Sequence, residues 1–221
     1  IITSEVARSI IMKYKITLPK QINKILEMIE KSGEEAYLIG GCVRDAFLGI
    51  SPQDFDITTS ATPEQIKEIF RGEKIIETGI KHGTVTVLYE GTTAEITTFR
   101  TEAGYSDGRR PDSVSFTSSL FDDTSRRDFT INAIAYNDNT GPVDFHGGIQ
   151  DIKNKIIRCV GIPEKRFGED ALRILRAIRF ASVLDFDIEK RTSDAIHSMS
   201  ELLYKISAER IASEFSKLIC G

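Results

Sequence analysis

The sequence is poor in the residues that build transition-metal sites and covalent frameworks. Its 221 residues include three cysteines and three histidines. Cys42, Cys159 and Cys220 are far apart and odd in number, so they form neither a disulfide framework nor a zinc pattern. His82, His146 and His197 are equally scattered. All six read as structural or incidental, and a transition-metal site is not expected. A hard-cation site made of carboxylates stays open. Long apolar runs are also missing: none reaches the roughly 18 residues needed to span a bilayer. No signal-peptide pattern opens the chain, because Glu5, Arg8, Lys13 and Lys15 interrupt its first apolar residues. No membrane is expected as a partner, and the cytoplasm is the default location. There are no repeats and no low-complexity linker.

An excess of positive charge is lacking too. The formal net charge is −4, which by itself argues mildly against nucleic-acid binding. Local clusters count for more than the sum. Arg109-Arg110, Arg126-Arg127, Lys153 with Lys155, and Arg173, Arg176 and Arg179 are concentrated positive spots, although any one of them also reads as a solvated face. The apolar share of 40% and charged share of 28% are ordinary for a soluble globular chain.

Apolar residues at Ile22, Ile25, Leu26 and Ile29 give residues 18–30 helical spacing, stopped by Ser32-Gly33. A short apolar strand over 36–39 runs into Gly40-Gly41, and 42–48 reads as a helix. Residues 53–58 alternate as a strand. Thr62-Pro63-Glu64 opens a further helix. Residues 84–89 and 93–99 are β-rich runs joined by a turn. Residues 101–112, with two glycines, read as a mobile loop. From Pro163 the pattern is helical, without clear strands. The expectation is an α+β chain with a head over 1–150 and an all-α part over 151–221. The last amphipathic segment, 207–219, is followed by almost nothing that could cover it, so a fragment of a longer protein is expected.

The sharpest local signal is Gly40-Gly41 followed by Asp54-Phe55-Asp56. In a strand, residues two apart share a face, so Asp54 and Asp56 present two carboxylates side by side. Like charges that close repel, and a divalent cation relieves them. Two such ions can clamp the attacking and leaving oxygens of an in-line displacement. Glycines lacking Cβ let backbone N–H groups approach a phosphate, and Arg44 can add a charge-assisted contact to a triphosphate. Glu95 offers a third carboxylate on a neighbouring strand. A bare D-x-D is common on surface strands; the strand–Gly-Gly–helix unit before it makes the pattern far more specific.

Residues 40–45 with 54–56 resemble the first motif of the polymerase-β-type nucleotidyltransferases. More narrowly, they are similar to the class II (bacterial and eukaryotic) CCA-adding enzymes and the related poly(A) polymerases. Arg126-Arg127-Asp128-Phe129-Thr130-Ile131-Asn132-Ala133 resembles the family's second motif, which holds the ribose and primer side. Residues 169–180 resemble its base-reading motif, and 207–218 its helix-stabilising last motif. The resemblance covers about residues 30–219. It implies a nucleotidyltransferase head, a mixed or antiparallel sheet with flanking helices, followed by an all-α neck. A body and a tail complete the family's plan, and this sequence carries head and neck. The implied reaction is addition of C and A from CTP and ATP to the 3′ end of tRNA, with release of pyrophosphate. It uses two metal ions, Mg²⁺ or alternatively Mn²⁺, on Asp54 and Asp56. No protein partner is implied.

The third motif also has a physical reading. On one helix from Asp170, residues Arg173, Arg176 and Arg179 form a charged ladder opposite an apolar face of Ala171, Ile174, Leu175, Ile178 and Ala181. An exposed salt-bridged helix is the plain interpretation. The sharper one is a protein template. Asp170 accepts from the amino group that cytosine and adenine share, and Arg173 donates to the adjacent ring acceptor. The resemblance implies the same role for this pair. Arg176 and Arg179 would then face triphosphate or RNA. Arg127 is expected to contact the nucleotide, with Asp128 in support, the two opening an apolar helix. The 101–112 loop is expected to serve the final A; its length argues against CC-only addition. An A-only or poly(A) enzyme and a catalytically dead binding module are the competing readings, and retention of Asp54, Asp56 and Glu95 weighs against the latter.

Overall fold

The structure, a computed structural model, describes residues 15–52, 54–105 and 111–220. It contains two compact units. The first takes residues up to 101, 115–124 and 134–145, and the second takes 102–114, 125–133 and 146 onward. The division is therefore not a single cut near residue 150. Two short segments, 102–114 and 125–133, group with the helical C-terminal part.

Among the described residues the elements begin, in chain order, with α1 (Lys20–Lys31), β1 (Ala36–Ile39), α2 (Gly41–Phe47), β2 (Asp56–Thr59) and α3 (Pro63–Ile69). Next come β3 (Lys74–Ile76), β4 (Thr84–Tyr89), β5 (Thr92–Thr98) and a ribbon of β6 (Arg100–Ala103) with β7 (Ser113–Phe116). The short helix α4 (Leu120–Ser125) precedes β8 (Ala135–Asn137) and β9 (Gly141–Val143). Seven of these strands form a sheet of order β3-β4-β5-β2-β1-β8-β9. The β2–β5 pair is parallel and the others are antiparallel.

The expected mixed sheet with flanking helices is thus present. One face carries Leu38, Ile57, Ile96, Val85 and Val87, all buried. It packs against α1, whose Ile22, Ile25, Leu26 and Ile29 are buried, and α3, whose Ile66 is buried. Burying four such side chains from α1 contributes on the order of 6–12 kcal/mol before chain entropy is charged. A reciprocal capping box fixes the start of α3: Gln65 N donates to Thr62 Oγ1 at 3.3 Å, and Thr62 N donates to Gln65 Oε1 at 2.8 Å. The opposite face is apolar only in part, where Ile39, Phe99, Leu120 and Ala135 cluster.

The second unit holds α5 (Gly148–Asn154), β10 (Ile156–Ile157), α6 (Pro163–Glu169), α7 (Leu172–Leu184), β11 (Asp187–Ile188), α8 (Lys190–Ser198) and α9 (Ala208–Cys220). It is helical as expected, except that β11 pairs in parallel with β10. Two-residue strands are too short to leave a period in the sequence. The stretch expected to be a mobile loop begins within β6 and ends just before β7, and the two strands pair. Its Gly104 is a fixed turn position, with φ of 67° and its carbonyl accepting from Asp112 N at 3.0 Å. Gly108 and Arg109-Arg110 lie outside the described residues. Among the described residues, no helix is long and apolar enough to cross a membrane.

Candidate active site

In the first unit, β1 delivers the chain to Gly40, whose φ of 84° and ψ of −137° only glycine adopts freely. Gly41 then opens α2. Arg44 folds back over it, its Nη2 lying 3.6 Å from where a Gly41 Cβ would stand. The guanidinium is buried and donates to Asp45 Oδ1 from Nε at 2.8 Å and from Nη2 at 2.7 Å. Arg44 therefore reaches the glycine pair already paired with Asp45.

The carboxylates meet at the sheet edge of β2 and β5. Asp56 is the first residue of β2, and its register partner in β5 is Glu95. In a pleated sheet such partners share a face. Asp54 corrects the sequence expectation: it lies in a bend before the strand, so the rule of alternate faces does not place it. Pro52, unable to donate to a ladder, stands just upstream. Asp54 is nevertheless within electrostatic reach. Partial burial pushes the Glu95 carboxyl up, and the charges of Asp56 and then Asp54 push it further. All three side chains are exposed. Among the described residues, no three His, Cys, Asp or Glu form a cluster already close enough to hold a metal ion. The donor chemistry, oxygen only and of one sign, nonetheless fits a hard cation. Cys42, near the site, is buried and its thiol is pushed up to about 11 by burial, consistent with an inert structural role.

A further acid that the sequence did not single out sits beside this edge. Asp123 on α4 is fully buried, and its Oδ2 accepts from Thr58 Oγ1 at 2.9 Å. Its Oδ1 accepts from the Arg100 backbone N–H at 3.3 Å. This pins α4 onto β2 at Thr58, two residues along the strand from Asp56. Two adjacent acids, Asp122-Asp123, just ahead of Arg126-Arg127 were the available signal.

The second unit holds the remaining predicted residues, and here the local geometry differs from expectation. Asp128 does not open an apolar helix. Phe129 is extended (φ −125°, ψ 149°) and bridges Cys159, and one 3-10 turn follows over Thr130–Asn132. The cause is local: Asp128 Oδ1 accepts from Phe129 N at 2.8 Å and Asn132 Nδ2 at 3.2 Å, which competes with helix. Asp128 Oδ2 accepts from Arg176 at 2.9 and 2.6 Å. Burial pushes this carboxyl up, but Arg176, Arg173 and Asn132 outweigh it and bring it down to about 2. Arg127 is half-buried.

Asp170 and Arg173 do not lie on one helix either. Asp170 is extended (φ −146°, ψ 106°) between α6 and α7. Its Oδ1 accepts from Leu172 N at 3.0 Å, acting as the cap of α7, while Arg210 Nη2 donates to its Oδ2 at 2.7 Å. Arg173 donates from Nη1 to Glu169 Oε2 at 2.8 Å and from Nη2 to the Arg126 carbonyl at 3.2 Å. The two candidate template groups are held by others, not by each other. Arg176 and Arg179 bond Asp128 and Glu214 in this structure. The apolar stripe is Ile174, Ala177 and Phe180, whereas Ile178 is exposed. Arginine and apolar stripes are therefore adjacent, and the Arg173 and Arg179 side chains are only 13% and 14% exposed. Sequence reasoning missed Glu169, Arg210 and Glu214. The last two lie four apart on α9, a spacing that puts both on one face.

Comparisons with known proteins bear on the family and the fold. Residues 36–158 match the family described as "Poly A polymerase head domain", and 185–221 match "Probable RNA and SrmB- binding site of polymerase A". The chain is 56% identical over 197 residues to the CCA-adding enzyme of Lactobacillus helveticus, covering 89% of this chain and 49% of that protein. It superposes on the crystal structure of Bacillus stearothermophilus CCA-adding enzyme in complex with CTP with a TM-score of 0.84 at 44% identity, covering 93% of this chain and 50% of that one. A Thermotoga maritima CCA-adding enzyme complexed with tRNA matches with a TM-score of 0.76 at 27% identity, over 96% and 50% of the two chains. The chain spans about half the length of the curated relatives it matches.

Proposed function

The chain belongs to the Poly A polymerase head domain family, and on that premise we propose that it transfers C and A from CTP and ATP to the 3′ end of tRNA. The observation that carries this is the pairing of Asp56 with Glu95 across β2 and β5, with Asp54 close enough to raise Glu95. Asp54 and Asp56, with Glu95 beside them, would hold divalent cations such as Mg²⁺ or Mn²⁺. When bound, these neutralise charge on the attacking and leaving oxygens of phosphoryl transfer. Gly40-Gly41 leave room for the triphosphate, and Arg44, oriented by Asp45, supplies positive charge beside it. Arg127 contacts the nucleotide, and Asp128, locked by Arg176, fixes the turn that presents it. Asp170 and Arg173 read the base. A carboxylate has about four acceptor positions, so Asp170 can cap α7, pair with Arg210 and still accept an amino group from cytosine or adenine. CTP and tRNA in the complexes of the two similar structures support these substrate classes.

The test is incubation of the chain with tRNA ending before its CCA and each labelled nucleotide in turn, followed by sequencing of the products. Successive incorporation of C, C and A is expected. Incorporation of A alone, in repeated units, would replace this reading with that of a poly(A) enzyme.

A further inference from the structure

The sheet face that carries the carboxylates is covered on one side and open on the other. Register aligns two rows across it. The first is Thr86, Glu95 and Asp56; the second is Thr84, Thr97 and Thr58. Two residues along a strand separate the rows by about 7 Å. At β2 the cover is complete: Thr58 is fully buried beneath Asp123 of α4. At β4 and β5 it stops, for Thr84, Thr86 and Thr97 are only half-buried. The Thr84 and Thr97 hydroxyls lie 3.0 Å apart and share a hydrogen bond. Beyond Thr84 the chain reaches Gly83, against which the Phe116 ring packs so closely that a Cβ there would stand 2.7 Å away. Phe116 is still 48% exposed. A row of hydroxyls thus leads from the carboxylates to a half-exposed aromatic ring.

We propose that this shelf seats the 3′ end of the RNA acceptor, an inference that rests on the nucleotidyl-transfer reading of the carboxylates. Their chemistry requires the acceptor's 3′-hydroxyl to reach Asp56 and Glu95, so the last ribose lies over the β4 end of the same row, at Thr86, with the Thr84 and Thr97 hydroxyls beyond it. A threonine hydroxyl both donates and accepts, as does a ribose 2′-hydroxyl. Thr86, the register partner of Glu95, bonds the 2′-hydroxyl of the terminal nucleotide. Phe116 stacks on a base of the single-stranded end, the usual use of an aromatic ring at such a site. The shelf therefore makes the enzyme choose RNA over DNA ends, and it does so in the first unit, apart from the reading of the incoming base.

The experiment compares the intact chain with Phe116→Ala, Phe116→Tyr and Thr86→Val on two acceptors, a tRNA ending before its CCA and the same molecule with a terminal 2′-deoxyribose. Phe116→Ala should raise KM for tRNA by roughly tenfold and leave KM for CTP unchanged, and Phe116→Tyr should restore it. Wild type should prefer the ribose end, and Thr86→Val should use both ends equally. If wild type extends neither acceptor, the catalytic reading fails. If wild type is active but Phe116→Ala keeps its KM for tRNA, or Thr86→Val keeps the preference, the shelf proposal alone is overturned.

Discussion

The two charged regions of this chain are built on opposite principles. At the edge of β2 and β5, carboxylates of one sign are gathered, and Glu95 is raised by partial burial and then by the charges of Asp56 and Asp54. Around α7, opposite charges are paired: Arg173 and Arg166 with Glu169, Arg176 with Asp128, Arg179 with Glu214, Arg210 with Asp170. Gathering like charge costs stability and creates demand for a cation. Matching opposite charge at low exposure fixes side chains in place, because each partner lost would strand a buried charge. The first region is suited to chemistry and the second to selection by preorganised groups.

Breaking that contrast should have effects of very different size. Asp54→Ala should lower the rate of nucleotide addition by roughly a thousandfold or more while the thermal midpoint stays within a few degrees. Near-normal turnover would remove Asp54 from the site. In the matched region, Asp128→Asn should instead cost about 3–5 kcal/mol of stability, since it leaves the Arg176 guanidinium without its buried counter-charge. Its pH dependence sharpens the point. Folding lowers the Asp128 carboxyl to about 2, so its stabilisation is complete above the unfolded pKa of about 4 and is lost as pH falls through 2. Urea titrations at pH 7 and pH 3 should show the difference between wild type and variant shrinking at the lower pH; a gap independent of pH would contradict the assignment.

Glu95→Gln should act in the reverse sense. A carboxyl raised on folding destabilises the chain as pH rises through its unfolded value, so its removal should stabilise by a few tenths of a kcal/mol in metal-free buffer, solvent screening keeping the gain small. The gain should grow from pH 4 to pH 7 in thermal melts, with activity lost. The smallest effect belongs to an exposed pair of the second unit, Lys155 with Asp185, whose side chains are 62% and 94% exposed. Lys155→Ala should change stability by under about 0.5 kcal/mol, and a larger loss in the same melts would mean that exposure is no guide to ion-pair strength here.

Much of this was legible in the sequence where periodicity or backbone chemistry spoke. The spacing of Ile22, Ile25, Leu26 and Ile29 gave α1, Thr62-Pro63 gave the start of α3, and Gly40 marks a backbone turn that needs glycine. Illegible were positions where a side chain competes with the local pattern. Asp170 reads as the first residue of a helix, but its carboxylate bonds Leu172 N and makes it a cap. Asp128 reads as a helix start, yet its bonds to Phe129 and Asn132 hold a 3-10 turn. The pairing of Asp56 with Glu95 needed a parallel register between strands far apart in the chain, which no local pattern encodes. Partners such as Arg210 and Asp123 were visible only as charges until the fold gave them neighbours.

The central claim is that the carboxylate edge performs the transfer while the matched region chooses the nucleotide. Single-turnover incorporation of each of the four nucleotides into tRNA ending before its CCA, by wild type, Asp56→Ala and Asp170→Ala, tests it most directly. Asp56→Ala should lose all four incorporations alike. Asp170→Ala should keep measurable transfer but let UTP and GTP compete, narrowing by roughly 5- to 150-fold the preference for CTP and ATP. Near-wild-type transfer by Asp56→Ala, or an unaltered nucleotide preference in Asp170→Ala, would contradict the account.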